Sequence, residues 1–122
     1  MGKVILIVDD SASLRQVVKI ALSNAGYEVV EASEGKDALS KLGGQRYHLI
    51  ISDVNMPNMD GIELIKHVRQ SPGNRFMPII MLTTESQPEK KQEGKAAGAS
   101  GWIVKPFKPE QLLAVVRMIC PA

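Results

Sequence analysis

The segment VILIVDD, residues 4–10, decides the fold class. Its five apolar residues are mostly β-branched and predict a short buried strand. Asp9 and Asp10 follow that strand directly. Acidic residues just before a helix also favour the positive end of the helix dipole, so this pair alone is weak evidence for a site. Its meaning depends on which other polar groups reach the same place.

Length and composition predict a single domain over residues 1–122, because the chain has 122 residues and 44% hydrophobic content. The lone cysteine, Cys120, has no partner for an internal disulfide, which favours a reducing cytoplasmic location. We find neither a signal peptide nor an apolar run long enough to span a bilayer. We therefore expect a cytoplasmic protein without membrane insertion.

The charge and aromatic content argue against a nucleic-acid partner. The formal net charge is only +2, and the aromatic residues are one tryptophan, two tyrosines and two phenylalanines. Such a chain lacks the strong positive field and the stacking platform that nucleic-acid binders use. The absence of a further domain after residue 122 leads to the same expectation.

Four further segments predict strands by their length, flanking residues and β-branched content. They are YEVVEA (27–32), HLIIS (48–52), PIIMLT (78–83) and GWIV (101–104). Four of the five predicted strands are continuously apolar, which is typical of parallel strands covered on both faces. The second carries Glu28 and Glu31 and is predicted to lie at an edge.

Helical periodicity separates these strands. Apolar residues between 14 and 25 recur on one helix face, and Gly26 is a suitable stop. Shorter helices are predicted over 36–42 and 61–69, and a last one follows Pro109. Residues 88–97 are also predicted to be helical, but they are mostly polar or small, so we expect this helix to be the loosest.

Strict alternation of strand and helix predicts an α/β fold with a doubly wound, five-stranded parallel sheet. The expected strand order is 2-1-3-4-5, which places a crevice outside the carboxyl ends of strands one and three. No internal repeat or linker interrupts the pattern. Any binding site is therefore expected at that edge of the sheet.

Five polar side chains are predicted to meet there, because each follows or ends a strand: Asp9, Asp10, Asp53, Thr83 and Lys105. Three neighbouring carboxylates repel one another unless a cation neutralises them, and Mg²⁺ prefers such oxygen ligands. A hydroxyl and an ammonium instead suit the oxygens of a phosphoryl group. The pattern predicts a metal site and a phosphoryl site that share Asp53.

Four motifs in the expected order connect the chain to a known family: VDDS (8–11), SDVNMPNMDG (52–61), LTTES (82–86) and VKPF (104–107). With them the chain resembles the receiver domains of two-component response regulators over essentially its whole length. The resemblance is greatest to single-domain chemotaxis regulators of the CheY type. It implies a flavodoxin-like receiver fold and a phosphorylation-activated signalling switch.

The resemblance also implies a role for each site residue. Asp53 is the phosphoacceptor, modified to 4-aspartylphosphate by a sensor histidine kinase or a small acyl phosphate. Mg²⁺ is bound directly by Asp10, through water by Asp9, and by the backbone carbonyl of Asn55, and Asp53 belongs to the same metal site. The protein then catalyses only its own phosphorylation and dephosphorylation, with the attack on phosphorus made by a carboxylate.

Further residues complete the implied mechanism. Thr83 and Lys105 contact the phosphoryl oxygens, while Asn55 and Glu85 flank the phosphoryl group and influence the approach of water. A cis Lys105–Pro106 peptide is expected, although a simple turn would also accommodate this proline.

A switch is implied in which Thr83 moves toward the phosphoryl group and an aromatic residue on strand five rotates inward. That residue is Trp102, where tyrosine or phenylalanine is usual in the family. The output surface is expected on helix four, strand five and helix five. Residues 86–108 carry five lysines against two glutamates, an excess of three positive charges that favours an acidic partner segment.

The implied partners are a CheA-like histidine kinase, a possible phosphatase and a protein target, with the chain acting as a monomer. The target is a flagellar motor switch protein, unless the chain serves as a phosphate sink. A phosphatase of the haloacid dehalogenase type would need a second aspartate where Asn55 stands. An FMN-binding protein would avoid the carboxylates of DDSAS (9–13) in its phosphate-binding turn.

The remaining polar and sulfur-containing residues are predicted to be structural. Ser11 or Ser13 is expected to cap the first helix. His48 and His67 lack the spacing of a metal site. The four methionines at positions 56, 59, 77 and 81 are predicted to pack in the core and its loops.

Overall fold

The computed structural model describes residues 2–56, 58–84 and 88–122. Its strands are β1 (Val4–Val8), β2 (Glu28–Ala32), β3 (Leu49–Asp53), β4 (Ile79–Thr84) and β5 (Gly101–Lys105). Its helices are α1 (Ala12–Asn24), α2 (Gly35–Leu42), α3 (Gly61–Gln70), α4 (Pro88–Ala97) and α5 (Pro109–Ile119). A short 3-10 turn, Pro72–Asn74, precedes β4 and was not predicted from the sequence.

The strands form one parallel sheet in the order β2-β1-β3-β4-β5, which confirms the predicted doubly wound topology. β2 lies at an edge, as its two glutamates indicated, and β5 forms the other edge. In the ladder Val8 lies opposite both Ala32 and Ser52, while Asp53 lies opposite Leu82. The parallel register brings the carboxyl ends of all five strands to one side of the molecule.

Two apolar layers cover the sheet, because successive strand residues point to opposite faces. Leu6 and Val8 belong to the layer under α2, α3 and α4. Ile5 and Ile7 belong to the layer under α1 and α5. All four side chains are fully buried, which explains why β1 is continuously apolar.

Helix starts follow the sequence signals. The Ser11 hydroxyl accepts a hydrogen bond from the Leu14 amide at 3.3 Å and caps α1, as predicted. Asp60 caps α3 by accepting from the Glu63 amide at 2.8 Å. Gly26 has φ of +98°, a conformation that favours glycine after α1.

The other structural predictions also hold. The methionines at 56, 59, 77 and 81 are buried, at 9% exposure or less. The His48 ring accepts a hydrogen bond from the Val4 amide at 3.0 Å, which is a structural role at the start of β3. His67 is exposed on α3. Among the described residues, no helix combines the length and apolar character needed to cross a membrane.

Candidate functional site

The five predicted site residues converge at the carboxyl edge of the sheet. Asp9 follows β1, Asp53 ends β3, Thr83 lies one residue before the end of β4, and Lys105 ends β5. Asp9, Asp53 and Thr83 are buried at 1%, 5% and 3% exposure, whereas Asp10 is exposed. These buried polar groups therefore mark a candidate site at this edge of the sheet, where Asp10 is exposed to solvent.

Three carboxylates form an acidic cluster. One oxygen from each of Asp9, Asp10 and Asp53 lies within 4.8 Å of the others. A hard divalent cation placed among them would receive oxygen ligands from three directions. These three carboxylate oxygens therefore fit the ligand preference of Mg²⁺.

Lys105 bridges two members of this cluster. Its Nζ lies 3.1 Å from Asp53 Oδ1 and 3.2 Å from Asp9 Oδ2, and its side chain is 25% exposed. The sequence predicted the lysine on the phosphoryl side of Asp53, without a contact to Asp9. Because the Lys105 ammonium contacts both Asp9 and Asp53, it offsets part of the repulsion between these two buried carboxylates.

The buried charges shift each other's titration. Burial raises the pKa of Asp53, and the nearby Asp9 carboxylate raises it further. The charge of Lys105 and the hydrogen bond from the backbone N–H of Asn55 lower this pKa. Burial alone would lower the pKa of Lys105, but attraction to Asp53 and Asp9 outweighs it and raises that pKa. The ammonium is held in its charged form beside a carboxylate whose ionisation is costly.

Hydrogen bonds from β3 and from the loop after it hold both the backbone and the carboxylate of Asp53. The Ser52 hydroxyl donates to the Asp53 carbonyl at 3.0 Å, and the backbone N–H of Asn55 donates to Asp53 Oδ1 at 3.4 Å. A Cβ at Gly61 would lie 2.3 Å from the Asp53 carbonyl oxygen and 2.6 Å from Met81 Cε. Only glycine therefore allows α3 to start so close to Asp53.

A group on α1 supports Asp9, and the sequence analysis missed it. The Arg15 guanidinium donates through Nη1 to the Asp9 carbonyl and pairs through Nε with Glu31 Oε1 at 3.1 Å. The Ser11 amide donates to Asp9 Oδ1 at 2.8 Å. The available signal was positional: Arg15 lies one turn into α1, and Glu31 lies near the end of the strand beside β1.

The predicted switch residues lie on the neighbouring strands. Thr83 is opposite Val104 in the ladder, and Trp102 is opposite Met81. The indole of Trp102 is partly buried and packs toward Gly94 of α4. The Lys105–Pro106 peptide is cis, as the resemblance implied. Glu85, expected to flank the phosphoryl group, lies outside the described residues.

Comparison with protein families identifies the chain. The model for the response regulator receiver domain matches residues 5–117, and the chain belongs to this family. It is accordingly a receiver domain of the two-component signalling type, a class whose members bind Mg²⁺ at an acidic pocket. Histidine kinases and downstream targets are the general partners of such domains.

Two curated relatives illustrate the breadth of the similarity. The chain is 42% identical over 110 residues to the chemotaxis protein CheY1 of Helicobacter pylori, covering 88% of this chain and 89% of that protein. It is 37% identical over 119 residues to the phosphate regulon regulator PhoB of Pseudomonas aeruginosa, covering 98% of this chain and 52% of PhoB. The chain thus spans about half the length of that curated relative.

A solved structure gives a high similarity over nearly the full chain. The chemotaxis response regulator CheY4 of Vibrio cholerae superposes with a TM-score of 0.93 at 54% identity, covering 98% of this chain and 99% of that one. The five-stranded order and the helices match this structure, which confirms the predicted receiver fold.

Proposed function

We propose that this chain, as a single receiver domain over residues 1–122, is a phosphorylation-activated switch of a chemotaxis-type pathway. Asp53 accepts a phosphoryl group from a histidine kinase of the CheA kind, and the surface formed by α4, β5 and α5 then binds a protein target. The observation that carries this proposal is the position of Asp53. Its carboxylate is buried between a lysine ammonium at 3.1 Å and two further aspartates.

The proposed Mg²⁺ ligands are Asp9, Asp10, Asp53 and the Asn55 carbonyl. The ion supplies positive charge that stabilises the transferring phosphoryl group. The fit rests on the three carboxylate oxygens, which lie close enough together to share one cation. Arg15 serves this arrangement indirectly, because its bond to the Asp9 carbonyl orients the first ligand.

The proposed chemistry is an in-line transfer. A carboxylate oxygen of Asp53 forms a bond to phosphorus as the bond from phosphorus to the donor histidine nitrogen breaks, and the histidine leaves as neutral imidazole after taking up a proton. The Lys105 ammonium pairs with the negative charge that develops on the phosphoryl oxygens, and the Thr83 hydroxyl donates a hydrogen bond to one of these oxygens. Water later attacks the acyl phosphate, so that the bond between phosphorus and the Asp53 oxygen breaks, inorganic phosphate leaves and the Asp53 carboxylate is restored.

The donor protein is proposed to dock beside Lys105. A groove of about 460 Å³ there is lined by Leu14, Val17, Thr84, Lys105, Pro106 and Phe107. Val17 is 50% exposed on α1, although it is apolar. An apolar rim next to the reacting carboxylate suits an amphipathic helix that carries the phosphohistidine.

The target side of the switch is basic. Of the charged residues on α4, the lysines at 90, 91 and 95 exceed the glutamates at 89 and 93 by one, and Lys108 adds to this excess. A target segment with acidic residues fits this surface, as in motor control by a flagellar switch protein. A phosphate sink would use the same chemistry without that target. We propose a cytoplasmic monomer, with a phosphatase as a possible further partner.

Phosphorylation at Asp53 is the direct test. Wild-type protein incubated with Mg²⁺ and acetyl phosphate is expected to gain one phosphoryl group by intact mass, and Asp53→Asn is expected to gain none. Asp60→Asn is the matched control, because Asp60 lies at the other end of the loop that follows Asp53 and asparagine also caps helices. Equal labelling of Asp53→Asn and wild type would overturn the proposal.

The metal assignment is tested with Asp10→Asn. This change removes one anionic ligand, so Mg²⁺ binding and phosphorylation are expected to weaken together. Normal labelling of Asp10→Asn at limiting Mg²⁺ would contradict the assignment. Sustained turnover of a phosphate ester by the wild type would favour a phosphatase instead.

A further inference from the structure

A glycine occupies the buried position of α4. Of the ten residues in this helix, Gly94 alone is buried, and its neighbours at 93 and 95 are charged and exposed. Glycine is among the least favourable residues inside a helix, because it loses more backbone freedom on folding than any other residue. The place of this residue in α4 therefore requires a reason outside the helix itself.

Backbone conformation does not supply that reason. Gly26 and Gly98 have positive φ angles, whereas Gly94 does not and lies within regular helix. Any L-amino acid adopts such a backbone without strain. The requirement at Gly94 is therefore for space.

The space is occupied by the indole of Trp102. A Cβ built at Gly94 would lie 2.8 Å from both Cη2 and Cζ3 of the ring, closer than real Cβ contacts allow. Met81 Cγ is next, at an ordinary 3.8 Å. The outer edge of the six-membered ring thus lies directly against the helix backbone at this one position.

The size of the ring makes the pairing specific. Cη2 and Cζ3 belong to the six-membered ring of the indole, the ring farther from the backbone. Phenylalanine has a single ring and lacks these two atoms. Trp102 lies opposite Met81 on the edge strand and is partly buried in the layer beneath α4. A tryptophan on β5 and a glycine on α4 therefore form a matched pair across the interface between the two elements.

We propose that Gly94 is a positioning residue for Trp102: it leaves the space on α4 in which the indole packs, and so couples the position of the ring to the position of the helix. The role of this pair in signalling rests on the proposed function, since it needs an event at Asp53 to be transmitted to α4. The packing itself does not depend on that function. A side chain at 94 displaces the ring toward solvent, moves the helix outward, or does both.

Fluorescence quenching tests the packing, because Trp102 is the single tryptophan of the chain. Gly94→Ala is expected to raise the acrylamide quenching constant of Trp102 in protein without any phosphoryl mimic. Gln92→Ala, an exposed change on the same helix, is the control and is expected to leave the constant unchanged. An unchanged constant in Gly94→Ala would overturn the proposal.

A double-mutant cycle separates ring contact from general damage to the helix. In the Trp102 background, Gly94→Ala is expected to lower the thermal unfolding midpoint by about 4 °C. In the Trp102→Phe background the same change is expected to be neutral or to raise the midpoint, since alanine favours helix over glycine. Equal effects in both backgrounds would contradict the pairing.

A signalling arm uses beryllofluoride with Mg²⁺ as the phosphoryl mimic. In the wild type the mimic is expected to change Trp102 quenching, and in Gly94→Ala that change is expected to shrink while the mimic still binds. If wild type fails to bind the mimic, the proposed function fails, although the quenching constants without mimic still test the packing. If both proteins bind and respond equally, the coupling role of Gly94 is excluded.

Discussion

α3 and α4 have the same length, cover the same face of the sheet, and are held there very differently. Each has ten residues. α3 buries five of them, and Asp60 caps its first turn. α4 buries Gly94 alone and has a polar surface over most of its length.

The difference separates a fixed part of the site from an adjustable one. α3 starts against the Asp53 carbonyl through Gly61, so its packing holds the end of β3 where Asp53, the proposed phosphoacceptor, lies. α4 buries only Gly94, against the indole of Trp102, with Ala97 partly buried beside it, and so loses little apolar contact when it moves. Local opening has a low free-energy cost where few apolar contacts are broken. The signal is therefore expected to emerge at α4 and the chemistry to remain at the end of α3.

The largest expected effect is on stability and compares the two helices directly. Ile65→Ala removes a fully buried side chain from α3 and is expected to lower the free energy of unfolding by about 2–5 kcal/mol. Gln92→Ala on α4 is expected to change it by about 0.5 kcal/mol or less. Urea unfolding of both variants measures this contrast, and similar losses would remove the distinction between the helices.

A second experiment removes the hydrogen bond between Arg69 of α3 and the residue that follows α4. The Arg69 guanidinium, on α3, donates to the Gly98 carbonyl at 2.7 Å and to the Asn74 carbonyl at 3.2 Å. Arg69→Met keeps a long side chain but loses these charged bonds, for an expected loss of about 1.5–3 kcal/mol. Hydrogen exchange is expected to accelerate at the carboxyl end of α4 more than in α3. Uniform acceleration would argue that α4 is no looser than its neighbour.

The third experiment concerns the transmission of the signal. Thr83→Ala is expected to accept phosphate at Asp53 and yet bind a target poorly, because it loses the hydroxyl that we propose contacts the phosphoryl group. The expected loss of coupling is about 1–3 kcal/mol. Target affinity is measured with and without phosphorylation in both proteins. Full phosphorylation-dependent binding by Thr83→Ala would rule out this residue as the link.

The smallest effect is expected from the ion pair on the surface of α4. Lys90 Nζ lies 3.8 Å from Glu93 Oε2, and both side chains are substantially exposed. Lys90→Met is expected to change stability by less than about 0.5 kcal/mol. A larger loss in thermal or urea unfolding would mean that surface charge, and not the ring of Trp102, anchors the helix.

Most of the fold was predictable because its signals are local. Continuous apolar runs marked the buried strands, and Ser11, Gly26 and Pro109 marked helix ends in the places where the structure has them. The limits of β2, β3, β4 and β5 each differ from the prediction by one residue at one or both ends, since a strand ends where its ladder partners end. The 3-10 turn before β4 had no periodic signal to reveal it.

The sequence by itself determined the doubly wound topology and the meeting of Asp9, Asp10, Asp53, Thr83 and Lys105, because strand order places the carboxyl ends of parallel strands at one edge. Only the tertiary structure decided the contacts that depend on the depth and direction of individual side chains. Lys105 reaches Asp9 as well as Asp53, and Arg15 supports Asp9 from α1. Gly94 faces the indole of Trp102 across two elements. These contacts join residues far apart in the chain or on different elements, so no local pattern encodes them, and packing alone determines which atoms touch.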